Sequence, residues 1–579
     1  MSPWRLSWRD LAWLLLLAAV VLGAGLGWRD PWPADEPRFA LIARDMAHGA
    51  SWWVPHIGGD LYQDKPPVFF WAIAVGYLVS GSLRVAFLLP SFLAGLLAVG
   101  LVWDLAYRLW SRRVAVHAAL LLLATVQFLL QARAAQIDGF LLAFTVLSLY
   151  GLARHLLLGP AWGWYAVAGL SAGLGVATKG VGFLPLLLFL PWWGLRRAGF
   201  SFPLLHGGWR WAWAPLGLVV GVGLWLVPML LVVAHSPDPA YAAYRDEILF
   251  QQTVQRYANA WHHHAPPWFF LVNVIPGLWL PGTLLLPWVL GLKGLRSVGE
   301  AAATWQDHWR SRDPRALLFL GWVLVVVLFF SLSAGKRGVY VLQAVPAFVL
   351  ALAPFLPALA ARRGVRWLFF GITALLVLSL AGAVAWFLRG GRAWWQALAT
   401  QNGIADAQAL LPPLLAIALA GLVALVWFRW QRATLALLVT LWAAVIVQGW
   451  WINPLLDESR SFRHFMQQVQ LATGPEHELG LVNYREQFLL QATRPVVNFG
   501  HRRWREGGQE PRDAARWLNA APGRVLLVEE GLLRECFSTS PRRLVGHASR
   551  QAWYLVDAPA AAHCAAQGSE AAARRYVPW

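Results

Sequence analysis

Charged residues that stand beside long apolar stretches are the first candidates for chemistry in this chain. Carboxylates can serve as general acids or bases, and cations held in a water-poor site stabilise negative charge that develops there. Because charges at membrane depth are costly and usually functional, such a set predicts a site for an anionic, membrane-embedded substrate. The set comprises Asp35, Glu36, Arg38, Asp64, Lys65, Asp138, Lys179, Arg256, Lys336 and Arg337.

The apolar stretches that flank these charges have the composition of membrane-spanning helices. Of the 579 residues, 58% are hydrophobic and only 13% are charged, whereas soluble domains carry about 25% charged residues. A helix suits the membrane because it satisfies its own backbone hydrogen bonds. The 38 Trp residues fit this class as well, since Trp favours the membrane interface. We therefore predict a polytopic α-helical membrane protein.

The chain contains about thirteen apolar stretches long enough to cross a hydrocarbon core of about 30 Å. One further apolar run, residues 67–82, is short and begins with a double proline. We expect this run to lie along the interface, because the basic loops then share the side of the N-terminus. The predicted spans are 11–27, 85–107, 114–131, 139–158, 162–178, 180–195, 211–233, 268–290, 316–333, 339–358, 366–388, 410–428 and 433–451.

This topology follows from the positive-inside rule, by which basic loops stay in the cytoplasm. If 67–82 crossed the membrane, every basic loop after it would face outward. The N-terminus is therefore predicted to be cytoplasmic, with outer loops at 28–84 and 235–267. The basic loops carry Arg108, Arg112, Arg113, Arg196, Arg197, Lys293, Arg296, Arg310, Arg312, Arg362, Arg363, Arg366, Arg429 and Arg432.

The chain is predicted to divide into a membrane part, residues 1–452, and a soluble tail, residues 453–579. The tail alternates short apolar runs such as Val496–Phe499 with polar segments such as Pro511–Leu518. This alternation is typical of a small α/β domain. We expect the tail to lie on the same outer side as the two large loops.

Net charge and cysteine content bear on the binding partners and on the redox compartment of the protein. A net charge of +19 would suggest nucleic acid in a soluble protein, but here most of it orients helices and some can meet acidic lipid headgroups. We predict no nucleic-acid partner. Cys536 and Cys564 could form one disulfide if the tail faces an oxidising compartment, or they could be unrelated thiols.

The first outer loop opens with an amphipathic pattern. Asp35 can cap a helix that has Pro37 in its first turn, and Phe39, Ile42 and Met46 then recur at helical spacing. Such a helix is expected to lie at the membrane surface. Capping alone could explain Asp35, just as an interfacial anchor could explain the Asp64–Lys65 pair.

Five motif groups in a fixed order connect the charged set. They are Asp35-Glu36-x-Arg38 with Trp53-x-Pro55-His56 and Lys65-Pro66-Pro67; Gln131-Ala132-Arg133 through Asp138; Ala177-Thr178-Lys179-Gly180; Arg256-Tyr257 with His264-x-Pro266-Pro267; and Ser333 to Lys336 with Tyr340-Val341-Leu342-x-x-x-Pro346. In this order they resemble the GT-C glycosyltransferases that use polyprenyl-phosphate sugars. Within that class they are most similar to the lipid A aminoarabinose (ArnT-like) and protein mannosyltransferases. The resemblance covers about residues 10–360.

The resemblance implies a GT-C fold and a role for each charged residue. The catalytic candidates would act on the acceptor or on the positive charge that develops on the sugar, and the cations would stabilise the departing lipid phosphate. The catalytic candidates are Asp35, Asp138 and Glu36. The donor-phosphate candidates are Lys65, Arg256, Lys336 and Tyr340. The acceptor candidates are Arg38, Asp64, Lys179 and Arg337.

The implied reaction is transfer of a sugar, expected to be 4-amino-4-deoxy-L-arabinose or a related aminosugar, from undecaprenyl phosphate to a lipid A phosphate. It would occur at the periplasmic face of a bacterial inner membrane and would require no cofactor. Three features depart from the family pattern and bear on the sugar and acceptor. Asp64 stands where the family often has Glu, Arg337 follows Lys336 directly, and the Leu-Pro of the late motif is spread to Leu342 and Pro346.

Three alternative functions are a protein O-mannosyltransferase, a transporter and a membrane scaffold. A protein O-mannosyltransferase would use the same kind of lipid-linked donor with a Ser or Thr acceptor. A transporter would place its charges near the membrane midplane, often within an inverted repeat, and a membrane scaffold would leave the clustered charges unexplained. The run His262-His263-His264 could supply one ligand to a divalent metal, although three adjacent histidines cannot all point at one ion.

The topology can be tested directly. Reporter fusions or cysteine labelling at Arg112 and at Ala560 should place these positions on opposite sides of the membrane. The reason is that Arg112 belongs to a predicted cytoplasmic loop and Ala560 to the outer tail. Labelling of both positions from the same side would contradict this topology.

Overall fold

The computed structural model describes residues 3–249, 264–291, 304–501, 503–537, 541–548, 551–557 and 559–579. Its first part is helical, with short 3₁₀ segments at Gly180–Leu188 and Gly208–Ala212. The α-helices are α1 (Pro3–Leu22), α2 (Glu36–Ala47), α3 (Val68–Ser80), α4 (Leu83–Ala86), α5 (Leu89–Leu109), α6 (Arg112–Ala124), α7 (Val126–Ala132), α8 (Ile137–Leu158), α9 (Trp162–Thr178), α10 (Phe189–Arg197), α11 (Trp213–His235) and α12 (Pro239–Asp246).

The second part continues as helices that are often interrupted by 3₁₀ or π turns. Its helical segments are Phe270–Val274, Ile275–Leu278, Gly282–Leu285, Leu286–Val289, Trp305–Arg310, Pro314–Leu332, Gly338–Ala344, Val345–Leu352, Ala353–Phe355, Leu356–Ala361, Arg363–Trp386, Phe387–Gly391, Arg392–Gln401, Ala407–Leu410, Leu411–Phe428, Trp430–Arg432, Ala433–Val447, Gln448–Ile452, Asn453–Ser461 and Arg463–Thr473.

Among the described residues, eight helices are long and apolar enough to cross a membrane, or up to ten if each of two bent pairs is one span. The chain therefore is a multi-pass helical protein, but the expected thirteen spans are not all present as single long helices. The predicted span 268–290 bends by 99° and the predicted span 114–131 by 67°. Pro281 explains the first break, since proline lacks the N–H that would continue the helix.

The short run at 67–82 forms α3, which has 13 residues. At 1.5 Å per residue such a helix is roughly 20 Å long, too short for a core of about 30 Å. Phe39 of α2 contacts Phe69 and Phe70 of α3, with ring centroids 5.5 and 5.6 Å apart. The first outer loop thus builds part of its own apolar core.

The tail forms a six-stranded mixed sheet in the order β6-β7-β5-β3-β4-β8. Strand β3 pairs in parallel with β4 and β5, and the other neighbouring strands are antiparallel. The small hairpin β1–β2 lies in the first outer loop. The strands are β1 (His56–Ile57), β2 (Asp60–Leu61), β3 (Glu478–Leu481), β4 (Val496–Asn498), β5 (Arg524–Glu529), β6 (Arg542–Ala548), β7 (Gln551–Val556) and β8 (Arg574–Tyr576).

Helices cover this sheet, and one disulfide ties two of them together. Cys536 and Cys564 are bonded, with Cα atoms 5.7 Å apart, so the structure selects the disulfide over two unrelated thiols. The tail helices are Glu486–Gln491, Arg503–Glu506, Gln509–Ala520, Glu530–Leu532, Leu533–Cys536, Ala562–Gln567 and Glu570–Ala572.

The tail docks on the first outer loop through a shared apolar core. Phe39, Ile42 and Met46 of α2 are buried in one cluster with Phe465 and Trp553 of the tail. The apolar residues of α2, expected to face the membrane surface, therefore pack mainly against protein. The boundary predicted at 452 stays a prediction, although helical structure continues across it through Asn453–Ser461.

Polar contacts join the same surfaces. The Tyr576 hydroxyl donates to Asp45 Oδ1 over 2.9 Å, and Arg44 Nη2 donates to that hydroxyl over 2.8 Å. Burial raises the pKa of Asp45 to about 6, against the opposing effects of its hydrogen bond to Tyr576 and the charge of Arg44. The end of α2 is therefore fixed on the tail by a carboxyl group that resists ionisation.

A pH dependence of stability follows. Between pH 4 and 6 the unfolded chain loses the Asp45 proton while the folded chain keeps it, so Asp45 lowers stability as pH rises. We expect Asp45→Asn to raise the unfolding temperature at pH 7.5 by a few degrees, on the order of the shift that 1 kcal/mol produces in a domain of this size. Thermal unfolding at pH 4 and 7.5 measures this, and an equal effect at both values would contradict it.

Candidate active site

The segment Lys336–Tyr340 links three groups of charged residues at one end of the helical bundle. It follows the helix Pro314–Leu332 and enters the 3₁₀ helix Gly338–Ala344. Its backbone is held because Gln127 Nε2 donates to the Gly338 carbonyl over 2.8 Å. Three side chains of this short segment point to different partners, so it fixes the spacing between those partners.

The first group surrounds Asp35. Its Oδ2 lies 3.3 Å from Arg337 Nη2, and its Oδ1 lies 3.7 Å from Arg38 Nη1. Asp35 precedes α2, yet its side chain makes no capping hydrogen bond to the described backbone of that helix. The capping explanation is therefore not realised in the structure, and the carboxylate faces two guanidinium groups instead.

Arg38 connects this group to the tail. Its Nε donates to Glu486 Oε1 over 2.8 Å. Burial alone would raise the pKa of Glu486, but the positive charges of Arg38 and His501 outweigh it, and the pKa lies below its ordinary value. Glu486 is thus a fixed negative charge that orients the guanidinium beside Asp35.

The second group is built on Asp138, which is buried in the first turn of α8. Lys179 Nζ lies 2.6 Å from Asp138 Oδ1 and 4.4 Å from the centroid of the Tyr340 ring. The Asp138 carbonyl also accepts a hydrogen bond from Gln343 Nε2 over 3.0 Å. An ion pair and a cation–π contact therefore hold the second acid against the linking segment.

The third group is Lys336, which is buried. Its Nζ donates to the carbonyl of Ser333 over 2.5 Å and to that of Ala265 over 2.9 Å. An ammonium group has three N–H donors, so these two bonds leave one for a ligand. The residue borders an open cavity of about 560 Å³, lined by His264, Ala265, Pro266, Pro267, Ser331, Leu332, Ser333, Ala334 and Lys336.

Comparisons with known proteins agree with this architecture. The family model described as dolichyl-phosphate-mannose-protein mannosyltransferase matches residues 64–225. The crystal structures of ArnT from Cupriavidus metallidurans, in the apo state and bound to undecaprenyl phosphate, each superpose with a TM-score of 0.69 at 20% identity. They cover 96% and 94% of this chain and 99% and 97% of theirs. The chain therefore has the GT-C fold of these ArnT structures.

Sequence relatives carry names of the same kind. An undecaprenyl phosphate-alpha-4-amino-4-deoxy-L-arabinose arabinosyl transferase of Pseudomonas fluorescens is 31% identical over 363 residues, which is 61% of this chain and 61% of the relative. A transferase of that name from Pseudomonas savastanoi pv. phaseolicola is 30% identical and covers 58% of this chain and 60% of its own length. The chain thus matches about three fifths of the length of these relatives.

Glu36 has different hydrogen-bond partners from those of Asp35. Its carboxylate accepts from Arg29 Nη1 and Nη2 over 2.5 and 2.8 Å, from the Trp32 N–H over 2.9 Å and from the Ala135 N–H over 3.0 Å. Four donors saturate both oxygens. These contacts suit a residue that positions the loop, and the catalytic role of Glu36 stays a prediction.

Other predicted site residues are only partly tested. Asp64 borders a cavity of about 540 Å³ between the first outer loop, α12 and the tail, and it stays a candidate for acceptor binding. The convergence of Lys65, Arg256 and Lys336 stays a prediction, because Arg256 lies outside the described residues.

The metal hypothesis is equally open. His262 and His263 lie outside the described residues, and His264 forms an isolated antiparallel bridge with Gly335. Within the described ranges, no group of three or more His, Cys, Asp or Glu residues is arranged to hold a metal ion. A divalent metal therefore stays a prediction without structural support.

Sequence reasoning missed the charges that dock the tail on the GT-C core. Asp30 Oδ1 pairs with Arg84 Nε over 2.6 Å, and Asp30 Oδ2 pairs with Arg463. Asp457 Oδ1 accepts from the Asp30 N–H and from Trp32 Nε1, each over 2.8 Å. Arg29 and Asp30 could have been noticed because they follow the first span directly. The partners in the tail carry no comparable signal.

Asp35 gives the sharpest test of this site. Asp35→Asn removes the charge between Arg38 and Arg337 while changing little else in shape. We expect sugar transfer to fall by about 10²–10³-fold, as for loss of one preorganised electrostatic contact. Folding should be nearly unaffected. Turnover of a polyprenyl-phosphate sugar by purified protein in lipid measures the effect.

The matched control is Asp406→Asn. Asp406 also precedes a short helix, but its Oδ1 does cap it by accepting from the Gln408 N–H over 2.8 Å. Asn caps about as well as Asp, so this variant should retain turnover. A well-folded Asp35→Asn protein with wild-type turnover would remove Asp35 from the catalytic set.

Proposed function

We propose that this chain is an integral-membrane glycosyltransferase that moves 4-amino-4-deoxy-L-arabinose, or a related aminosugar, from undecaprenyl phosphate to a phosphate of lipid A. We place it in a bacterial inner membrane, with its site and tail at the periplasmic face. The observation that carries the proposal is the segment Lys336–Tyr340. It brings two candidate acids, Asp35 and Asp138, and three candidate cations to one end of the bundle. The cations are Lys179, Lys336 and Arg337.

The donor end of the proposed site is the cavity beside Lys336. When the sugar leaves, negative charge grows on the lipid phosphate, and a preorganised cation stabilises it strongly in a water-poor site. Lys336 is already held by two carbonyls, so it needs little reorganisation to direct its remaining N–H. Lys65, Arg256 and Tyr340 complete the proposed phosphate set.

The acceptor end is proposed to lie beside Asp35. A phosphate acceptor is already ionised at neutral pH, so Asp35 would orient groups and balance positive charge on the sugar instead of removing a proton. Arg337 suits an anionic acceptor, because its side chain is 41% exposed and a guanidinium can bind phosphate in a fork. Arg38 is more enclosed, between Asp35 and Glu486.

Asp138 has a supporting role in this proposal. Its ion pair with Lys179 keeps one oxygen occupied, and Lys179 in turn covers Tyr340. The pair can therefore set the position of the Tyr340 ring beside the donor phosphate. In this arrangement Lys179 contacts Asp138 and Tyr340, so its contact with the acceptor would be less direct than the sequence predicts.

The comparisons support the donor class and one alternative. The names of the relatives specify undecaprenyl phosphate-linked aminoarabinose. The family model that matches residues 64–225 is described by dolichyl-phosphate mannose and protein acceptors. A protein O-mannosyltransferase is therefore the second candidate, and in it Asp35 would act as the general base for a Ser or Thr hydroxyl.

The function can be tested in cells and with purified protein. Mass spectrometry of lipid A from cells with and without the protein should detect an aminopentose on a lipid A phosphate only when the protein is present. The purified protein should transfer that sugar from undecaprenyl phosphate to lipid A. Modified proteins with unmodified lipid A would favour the mannosyltransferase instead.

Lys336→Gln is the variant that tests the site. It removes the positive charge beside the proposed donor phosphate, and loss of one such electrostatic contact should lower turnover by about 10²–10³-fold. Arg389→Gln is the matched control, since Arg389 is exposed on the same predicted outer side without belonging to the site. Equal turnover of both variants would reject the donor assignment.

A further inference from the structure

A third cavity lies at the face where the sequence predicts the cytoplasmic loops, away from the candidate active site. Its volume is about 450 Å³. Three arginines line it, and each stands at the start of a different predicted span: Arg113 before 114–131, Arg366 at 366–388 and Arg432 before 433–451. The cavity therefore sits between helices at the level where lipid headgroups lie.

The charge of this cavity is not balanced by protein. In the described part of the chain, Arg113, Arg366 and Arg432 form no ion pair, and the residues that line the cavity include no Asp or Glu. Other arginines of the same predicted face do have partners. Arg108 pairs with Asp104 over 2.6 Å, and Arg315 pairs with Asp313 over 2.7 Å.

The walls of the cavity are apolar. Leu120, Phe369, Leu435 and Leu438 lie along it, while polar groups come from the three arginines and from His117, Gln431 and Thr434. Such a combination of one charged end and a long apolar wall fits a molecule that is itself amphipathic.

Two tryptophans that neighbour cavity residues in the chain indicate the expected level of the membrane surface. Trp367 and Trp430 stack with their ring centroids 5.7 Å apart, and the Arg366 guanidinium lies 5.9 Å from the Trp430 centroid. Trp residues favour the headgroup level of a bilayer. The three arginines are thus held where a lipid phosphate would meet them.

We propose that this cavity binds an anionic phospholipid of the cytoplasmic leaflet, with its phosphate among the three arginines and its acyl chains along the leucine wall. Basic pockets between membrane helices bind anionic headgroups in this way, and guanidinium groups form strong paired hydrogen bonds with phosphate. The lipid would bridge α6 and the helices Arg363–Trp386 and Ala433–Val447, so it would stabilise the packing of the second half of the bundle.

The test uses the full chain, purified and exchanged into defined lipid. Phosphatidylglycerol should raise the unfolding temperature in a saturable way and remain bound in native mass spectrometry, because a ligand that binds only the folded state stabilises it. The triple variant Arg113→Gln, Arg366→Gln, Arg432→Gln should bind this lipid roughly a hundredfold more weakly, given the contribution of each basic residue near a headgroup.

A matched variant controls for net charge. Arg196→Gln, Arg197→Gln, Arg363→Gln removes the same charge from the same predicted face, outside the cavity lining, and it should keep wild-type binding. Phosphatidylcholine and inorganic phosphate are the other two arms, and neither should stabilise the protein.

Each opposite result overturns the proposal. Equal stabilisation by phosphatidylcholine would show that charge is not recognised, and stabilisation by inorganic phosphate alone would show that the apolar wall is not used. Equal weakening of both triple variants would reduce the effect to net charge. If the cavity variant does not fold, Leu435→Trp, which fills the wall and keeps the arginines, should still lower lipid binding.

Discussion

The buried carboxylate of Glu36 is the interaction on which the outer part of this molecule depends. It joins Arg29 after the first helix, the backbone at Trp32 and the backbone at Ala135, which lies between α7 and α8. A buried charge is tolerable only when its hydrogen-bonding capacity is filled, so these three segments must stay together. Asp35 precedes Glu36 in the chain, and its direction towards Arg337 is therefore set by the contacts of its neighbour.

The tail adds further polar contacts of this kind at the outer surface. Asp30, Asp457 and Arg463 connect the exit of α1 to the start of the tail, while Glu486 holds Arg38 from the other side. The tail is therefore a wall of the candidate site as well as a separate fold. Breaking one of these buried partners would leave another charge unpaired, which costs far more than the pair itself contributes. Docking and site geometry are consequently coupled.

The sequence predicted the membrane class and a short apolar segment at 67–82, because apolar length and charge placement are local signals. Contacts between distant segments gave no such signal. Nothing local distinguishes Glu486 from any other tail carboxylate, and its role depends on Arg38, 448 residues away. The same limit explains Glu36. Its type and position resemble those of Asp35, and only the contact with Ala135 shows that its oxygens are already occupied. The bent spans were missed for another reason. Total apolar length cannot show that a helix turns by 99° within 268–290.

Arg337 shows how a single departure from a family pattern can change the electrostatics of a site. The Asp35 carboxylate lies between two guanidinium groups, 3.3 Å from Arg337 and 3.7 Å from Arg38. Arg337 is the more exposed of the two arginines, and a guanidinium can bind phosphate in a fork. This geometry suits the anionic acceptor that we propose. Lys336 lies on the other side of the segment, where the carbonyls of Ser333 and Ala265 hold its ammonium group, and this placement suits the donor phosphate that we propose.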